Sequence, residues 1–298
     1  MDKTDLSPEV RKELTQSQKN EITEYHIYNK LADVTRDREN SELLRKIASE
    51  ELAHYNFWKK YTGEEVKPNR FKIFRYYWIA RILGLTFGIK LMERGEEGAQ
   101  DAYTQLAETI PGAREIVEDE HRHEDQLINM IKEERLDYAG SVVLGLNDAL
   151  VELTGTLAGL TFALQKTNLI ALIGLITGIA ASMSMAASEY LSTRTEEKEA
   201  TEEGPSPLKS SIYTGLAYIG TVVILILPYM FFSHYMAALG VTIFNAILII
   251  FVFNYYISVA RDLNFKHRFL EMALISLGVA ALSFGIGVLI RTFLGVDV

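Results

Sequence analysis

Two short motifs carry the plainest chemistry in this chain: Glu51-x-x-His54 and Glu120-x-x-His123. A carboxylate and an imidazole three positions apart share one face of a helix, so each pair can reach a single metal cluster. Around the first pair, Leu44, Ile47, Glu51, His54 and Trp58 recur at helical spacing, and around the second Ile116, Glu120, His123, Leu127 and Met130 do the same. Both pairs therefore sit inside an apolar stripe and are expected to face a core. Two further stretches place an acid on their apolar side. One runs Leu14, Glu21, Tyr25, Tyr28, Ala32; the other runs Leu85, Ile89, Met92, Glu96, Ala99, Tyr103, Leu106, with Glu93 one turn back and Glu97 close by. Burying four carboxylates without compensation is very costly, and bound cations supply the missing charge. Glu118-x-x-His121 repeats the spacing in another register, off the apolar stripe, and reads as solvated.

The chain has no cysteine, which excludes disulfides, thiolate metal sites and cysteine catalysis. Any metal must be held by carboxylate, imidazole, thioether or carbonyl groups, which suit Fe, Mn, Mg or Ca. A net charge of -9 argues against nucleic acid and fits cation handling. No apolar signal region is visible in MDKTDLSPEV.

These motifs need four helices to position them. The pattern predicts helix 1 over about Ser7–Val34, with Ser7 as N-cap and Pro8 at the first helical position. Helix 2 is expected over about Asn40–Tyr61, helix 3 over Trp78–Thr109 and helix 4 over Ala113–Arg135. Before helix 3, Arg70, Lys72, Arg75 and Arg81 alternate with Phe71, Phe74, Tyr76, Tyr77 and Trp78. This stretch fits equally a membrane-surface contact or the start of helix 3.

From Tyr138 onward the composition changes. Five apolar stretches follow, Ala139–Leu164, Asn168–Tyr190, Ile212–Phe232, Met236–Ala260 and Phe269–Phe293, each long enough to cross about 30 Å of hydrocarbon. The expected organisation is all-α: a four-helix domain over 1–137 and a five-span membrane domain over 138–298. Lys and Arg gather before span 1 and in the second and fourth loops. That bias puts the N-terminal domain in the cytosol and the C-terminus on the outer side of the cell (inner) membrane. Asp148 and Glu152 lie one turn apart inside span 1, where ionisable groups cost several kcal/mol and mark an ion path. Span 2 carries Met183, Met185 and Glu189; a thioether beside carboxylates favours a softer transition metal over Mg or Ca.

Two resemblances follow. Glu21 with Tyr28 seven residues on, together with Glu51-x-x-His54 and Glu120-x-x-His123, resembles the ligand set of rubrerythrin and other ferritin-like proteins over residues 9–135. It implies a di-iron, or alternatively di-manganese, site held by Glu21, Glu51, His54, Glu120, His123 and a helix 3 glutamate, Glu93 or Glu96. The membrane half is similar to the vacuolar iron transporter family. Asn147-Asp148 matches that family's Asn-Asp-Gly with Ala149 in place of glycine, and Ser184-Met185…Glu189 matches its second-span motif with Ser188 in place of glycine. The family is five-span and homodimeric, with its pore between subunits and protons as counter-ion. The resemblance implies that Asp148 and Met185 line the path and that Glu189 lies near its cytosolic mouth, with Fe2+ or Mn2+ as substrate. The family's long acidic hub between spans 2 and 3 is replaced by a short loop with Glu196, Glu197, Glu199, Glu202 and Glu203. The combination is similar to membrane-bound ferritins, which implies iron export. The competing expectation is a membrane-anchored di-iron oxidase or peroxidase.

Overall fold

A computed structural model of the chain describes residues 7–95, 110, 112–130, 137–199 and 205–294. Among these the chain is all-helical, with ten helices and no strand. It divides into two compact units, Met1–Glu133 and Glu134–Val298.

In the first unit, α1 (Pro8–Val34) starts where the sequence predicts: Ser7 caps it, its side chain accepting from Val10 N at 3.3 Å. Helix α2 (Arg38–Thr62) is capped by Asp37, which accepts from Asn40 N at 2.8 Å, and ends at Gly63 in the left-handed region, φ 71°. The two helices pack along each other through Ile27, Tyr28 and Leu31 on one side and Leu44, Ile47 and Ala48 on the other.

The third predicted helix differs from expectation. It begins at Arg70, because the Asn69 side chain accepts from both Phe71 N and Lys72 N at 3.1 Å. It is then interrupted: α3 is Arg70–Leu83, and α4 is Leu85–Arg94. Gly84 breaks it at φ 110° and ψ 151°, a conformation costly for any residue with a Cβ. Helix α5 (Ala113–Met130) packs on α2 and α4. Residues 96–109, and with them Glu96 and Glu97, lie outside the described residues, as does the side chain of Glu93.

The second unit holds α6 (Ala139–Leu164), α7 (Thr167–Glu199), α8 (Pro207–Phe231), α9 (Tyr235–Ala260) and α10 (Phe265–Leu294). All five are long and apolar enough to cross a membrane, and they fall on the five predicted stretches. Helix α6 is central and packs on α7, α8, α9 and α10. Its glycines allow the close approach. A Cβ on Gly145 would stand 2.3 Å from the Thr214 carbonyl oxygen, and one on Gly287 of α10 would stand 2.3 Å from the Gly159 oxygen. Gly155-x-x-x-Gly159 thus packs α6 against α10 within one chain, facing Val279 and Ser283. Gly174 and Gly178 likewise face Leu157 and Val222.

Candidate metal centre and carboxylate track

The periodicity of α1, α2 and α5 turns Glu21, Glu51, His54 and Glu120 toward one another. One ligand-type atom from each of these four lies within 4.8 Å of every other. Glu21 and Glu51 are buried, as are His54 and His123, while Glu120 is partly buried. His54 Nδ1 is 3.0 Å from Glu120 Oε1, 3.5 Å from Glu51 Oε2 and 3.8 Å from Glu21 Oε2. His123 Nδ1 is 3.1 Å from Glu51 Oε1, and the two imidazoles stack with centroids 5.7 Å apart. Glu118 and His121, the pair in the other register, are both exposed.

Both imidazoles point Nδ1 into the carboxylates and Nε2 outward. There the sequence reading missed two residues. His54 Nε2 lies 3.4 Å from Asp119 Oδ2, and His123 Nε2 lies 2.5 Å from Glu50 Oε2. Each motif is preceded by an acid, Glu50-Glu51 and Asp119-Glu120, and each of these acids meets the histidine of the other helix. Arg122 joins the two, 2.7 Å from Asp119 Oδ1 and 3.8 Å from Glu50 Oε2. An acceptor at Nε2 fixes the tautomer that leaves the Nδ1 lone pair for a cation. Glu21 is oriented from another side, by the Trp58 indole N–H donating to its Oε1 at 2.9 Å.

Three buried atoms at the centre, Glu51 Oε2, His54 Nδ1 and Glu120 Oε1, lack a directed hydrogen bond. Protons take up the excess negative charge. Burial, then the charges of Glu120 and Glu51, push the Glu21 carboxyl well above the usual carboxylate range. Burial and the charge of Glu51 lift Glu120 to about 7. Burial acts to raise Glu51 too, but its hydrogen bond with His123 and its close contacts with His54 and Glu21 outweigh it and hold the group at about 2. Burial opposes the charged form of His54, yet its contacts with Glu120 and Glu51 carry it up to about 11. His123 is raised against burial by its hydrogen bond with Glu51. A site that binds protons this strongly demands positive charge. Its oxygen and nitrogen donors fit a hard or borderline divalent ion, so this buried acidic and histidine cluster is able to hold a metal.

In the second unit the other predicted residues lie on α6 and α7. Asp148 and Glu152 share a face of α6 one turn apart; Asp148 is half-buried and Glu152 is exposed. The Tyr218 hydroxyl of α8 donates to Glu152 Oε2 at 2.8 Å, a partner that nothing in the spacing singles out from the other tyrosines of that span, Tyr213 and Tyr229. Glu189 of α7 accepts from Ser141 Oγ at 2.6 Å, tied to the first turn of α6. The three carboxylates are therefore strung along α6 at Ser141, Asp148 and Glu152, a rise of about 16 Å at 1.5 Å per residue. Met185, one turn before Glu189, is half-buried against the membrane core, whereas Met183 is exposed. The side chains of Glu196, Glu197 and Glu199, and all of Glu202 and Glu203, lie outside the described residues.

The model of the VIT family matches residues 139–204 and 195–288, just over half of the chain. The chain belongs to the VIT family. Membership implies that this multi-pass membrane protein transports metal ions. The matched residues include Asp148, Glu152, Met185 and Glu189, and all of them lie in the second unit. No curated protein matches the chain.

Proposed function

We propose that the protein exports ferrous iron, or Mn2+, from the cytosol in exchange for protons. The observation that carries this reading is the row of carboxylates inside the apolar spans of a VIT-family chain. Glu152 is exposed and Asp148 half-buried on one face of α6, and charge facing lipid costs several kcal/mol. A water-filled path covered by a second protomer removes that cost, in line with a homodimer whose path runs between subunits. In this reading Glu189 stands at the cytosolic mouth, and Met185, Asp148 and Glu152 line the route. Carboxylates that hold metal or proton in turn provide the exchange.

The first unit is read as a cytosolic ferritin-like domain over 1–137 that binds or senses the metal before it enters the membrane domain, 138–298. Glu21, Glu51, His54, Glu120 and His123 would hold a di-iron or di-manganese centre, with Glu93 or Glu96 as the remaining ligand. Bound iron would supply redox chemistry there, while the protein residues fix its position and exclude water. The bias of Lys and Arg among the loops supports a cytosolic position for this domain and an outer one for the C-terminus.

The test is transport across a pH gradient in proteoliposomes made with the full chain. The reading expects Fe2+ flux that is accompanied by counter-movement of protons and is saturable. Flux indifferent to the pH gradient would overturn the exchange.

A second reading, a membrane-anchored di-iron oxidase or peroxidase, is favoured by one observation: the four residues that converge among those described, Glu21, Glu51, His54 and Glu120, all come from α1, α2 and α5. Rapid Fe2+ oxidation by oxygen or peroxide in stopped flow, with no flux in vesicles, would establish that reading instead.

A further inference from the structure

Helix α3 has two opposed faces. Ile73, Tyr76 and Ala80 are buried in the core of the first unit. Phe71, Phe74, Trp78 and Ile82 point the other way and are 70, 62, 47 and 66% exposed. At about 100° per residue these four fall within an arc of about 80°. Arg70 and Arg81 flank the arc on one side, Lys72 and Arg75 on the other. The helix carries four basic residues and no acid, in a chain of net charge -9. Beside it lies a groove of about 550 Å³ in which His26, Lys30 and Arg70 meet Phe74, Tyr77 and Trp78. Trp78 packs edge-on against Tyr77, centroids 5.6 Å apart.

We propose that α3 is an interfacial helix that lies on an anionic bilayer. Its aromatic and aliphatic stripe enters the boundary between headgroups and acyl chains, its basic flanks meet lipid phosphates, and the groove receives one headgroup. The occupant is lipid for three reasons on the chain itself. An apolar arc with cationic borders, holding Trp78 with Tyr77 in the groove beside it, is complementary to an anionic interface and not to water. The chain is a membrane protein, so a bilayer is always present. Only eight residues separate Met130 of α5 from Ala139 of the first span, a reach of about 30 Å even when fully extended. The role differs from transport and from metal binding: α3 docks the metal-binding unit on the membrane surface.

The chain offers its own probe. It has two tryptophans, and neither is in a span; Trp58 is fully buried, and Trp78 sits on the stripe. The full chain is reconstituted in bilayers of phosphatidylcholine and phosphatidylglycerol, with acyl chains either plain or brominated near the headgroup. Brominated lipid is expected to remove the Trp78 share of the emission, and Trp78→Phe, a change at an exposed position, to leave only emission that bromine does not touch. Phe71→Ser with Phe74→Ser, which keeps Trp78, is expected to lower the quenching, and so is omission of phosphatidylglycerol. Emission equal in plain and brominated bilayers overturns the proposal. In that case Trp78 shielded from aqueous acrylamide means that a second copy or another protein covers the stripe, and Trp78 open to acrylamide leaves the stripe in water. Quenching unaffected by loss of anionic lipid overturns the role of the basic flanks.

Discussion

Glu50→Gln is expected to weaken metal binding at the first-unit centre although Glu50 is not among its four converging residues. Glu50 Oε2 lies 2.5 Å from His123 Nε2, and His123 Nδ1 reaches Glu51 at 3.1 Å. The carboxylate therefore holds the imidazole by a charge-assisted hydrogen bond in the tautomer that directs a lone pair inward. Glutamine keeps an acceptor of the same shape but loses the charge, so the loss is set at the low end of the range for such partners, about tenfold in affinity or ~1.4 kcal/mol. Glu50→Ala removes the acceptor as well and is expected nearer a hundredfold, about 2.7 kcal/mol. Asp119→Asn should act alike through His54, at a smaller magnitude because that contact is 3.4 Å. The assay is anaerobic titration of the metal-stripped full chain with Fe2+ and Co2+ against a competing chromophoric chelator, with thermal unfolding as the control for folding. Glu118→Gln, on the exposed side of α5, should bind as the parent does. If Glu50→Gln and Asp119→Asn both retain parental affinity while folded, the crossed pairing of acids and histidines has no role in metal binding.

Trp58→Phe removes the N–H that donates to Glu21 Oε1 at 2.9 Å and leaves a buried oxygen without it, at a cost of about 1–3 kcal/mol, visible as a lower Tm of the metal-stripped chain. Gly145→Ala should destabilise the detergent-solubilised protein by about 1–3 kcal/mol or more, because the new Cβ meets a backbone oxygen at 2.3 Å; Gly240→Ala, with nothing within 4 Å, should be silent in the same melt. Metal loading should release protons, since His54 is held protonated up to about 11 and Glu120 up to about 7, whereas a metal takes both groups deprotonated. Apparent affinity should therefore rise with pH, and calorimetric heats should depend on the ionisation enthalpy of the buffer; heats that do not change between buffers would contradict this.

The spans were legible because a run of apolar residues long enough to cross hydrocarbon has few other uses. The centre was legible where motif and apolar stripe coincide, at Glu51, His54, Glu120 and His123. Glu50 and Asp119 were not, because each lies one residue, about 100°, off its own stripe and finds its partner on the other helix. Helix 3 was misread at both of its signals. Asn69 was overlooked as an N-cap beside the basic and aromatic residues it precedes, and Gly84 hid inside an unbroken apolar periodicity. The partners of Glu152 and Glu189, Tyr218 and Ser141, are common residues in apolar helices and gain meaning only from the packing of α6 against α7 and α8.

The most direct measurement is Fe2+ flux through proteoliposomes of the full chain and of Asp148→Ala, paired with metal titration of each at the first-unit centre. Asp148→Ala is expected to abolish flux and to leave binding at Glu21, Glu51, His54 and Glu120 as it was. Parental flux in folded Asp148→Ala would contradict the path.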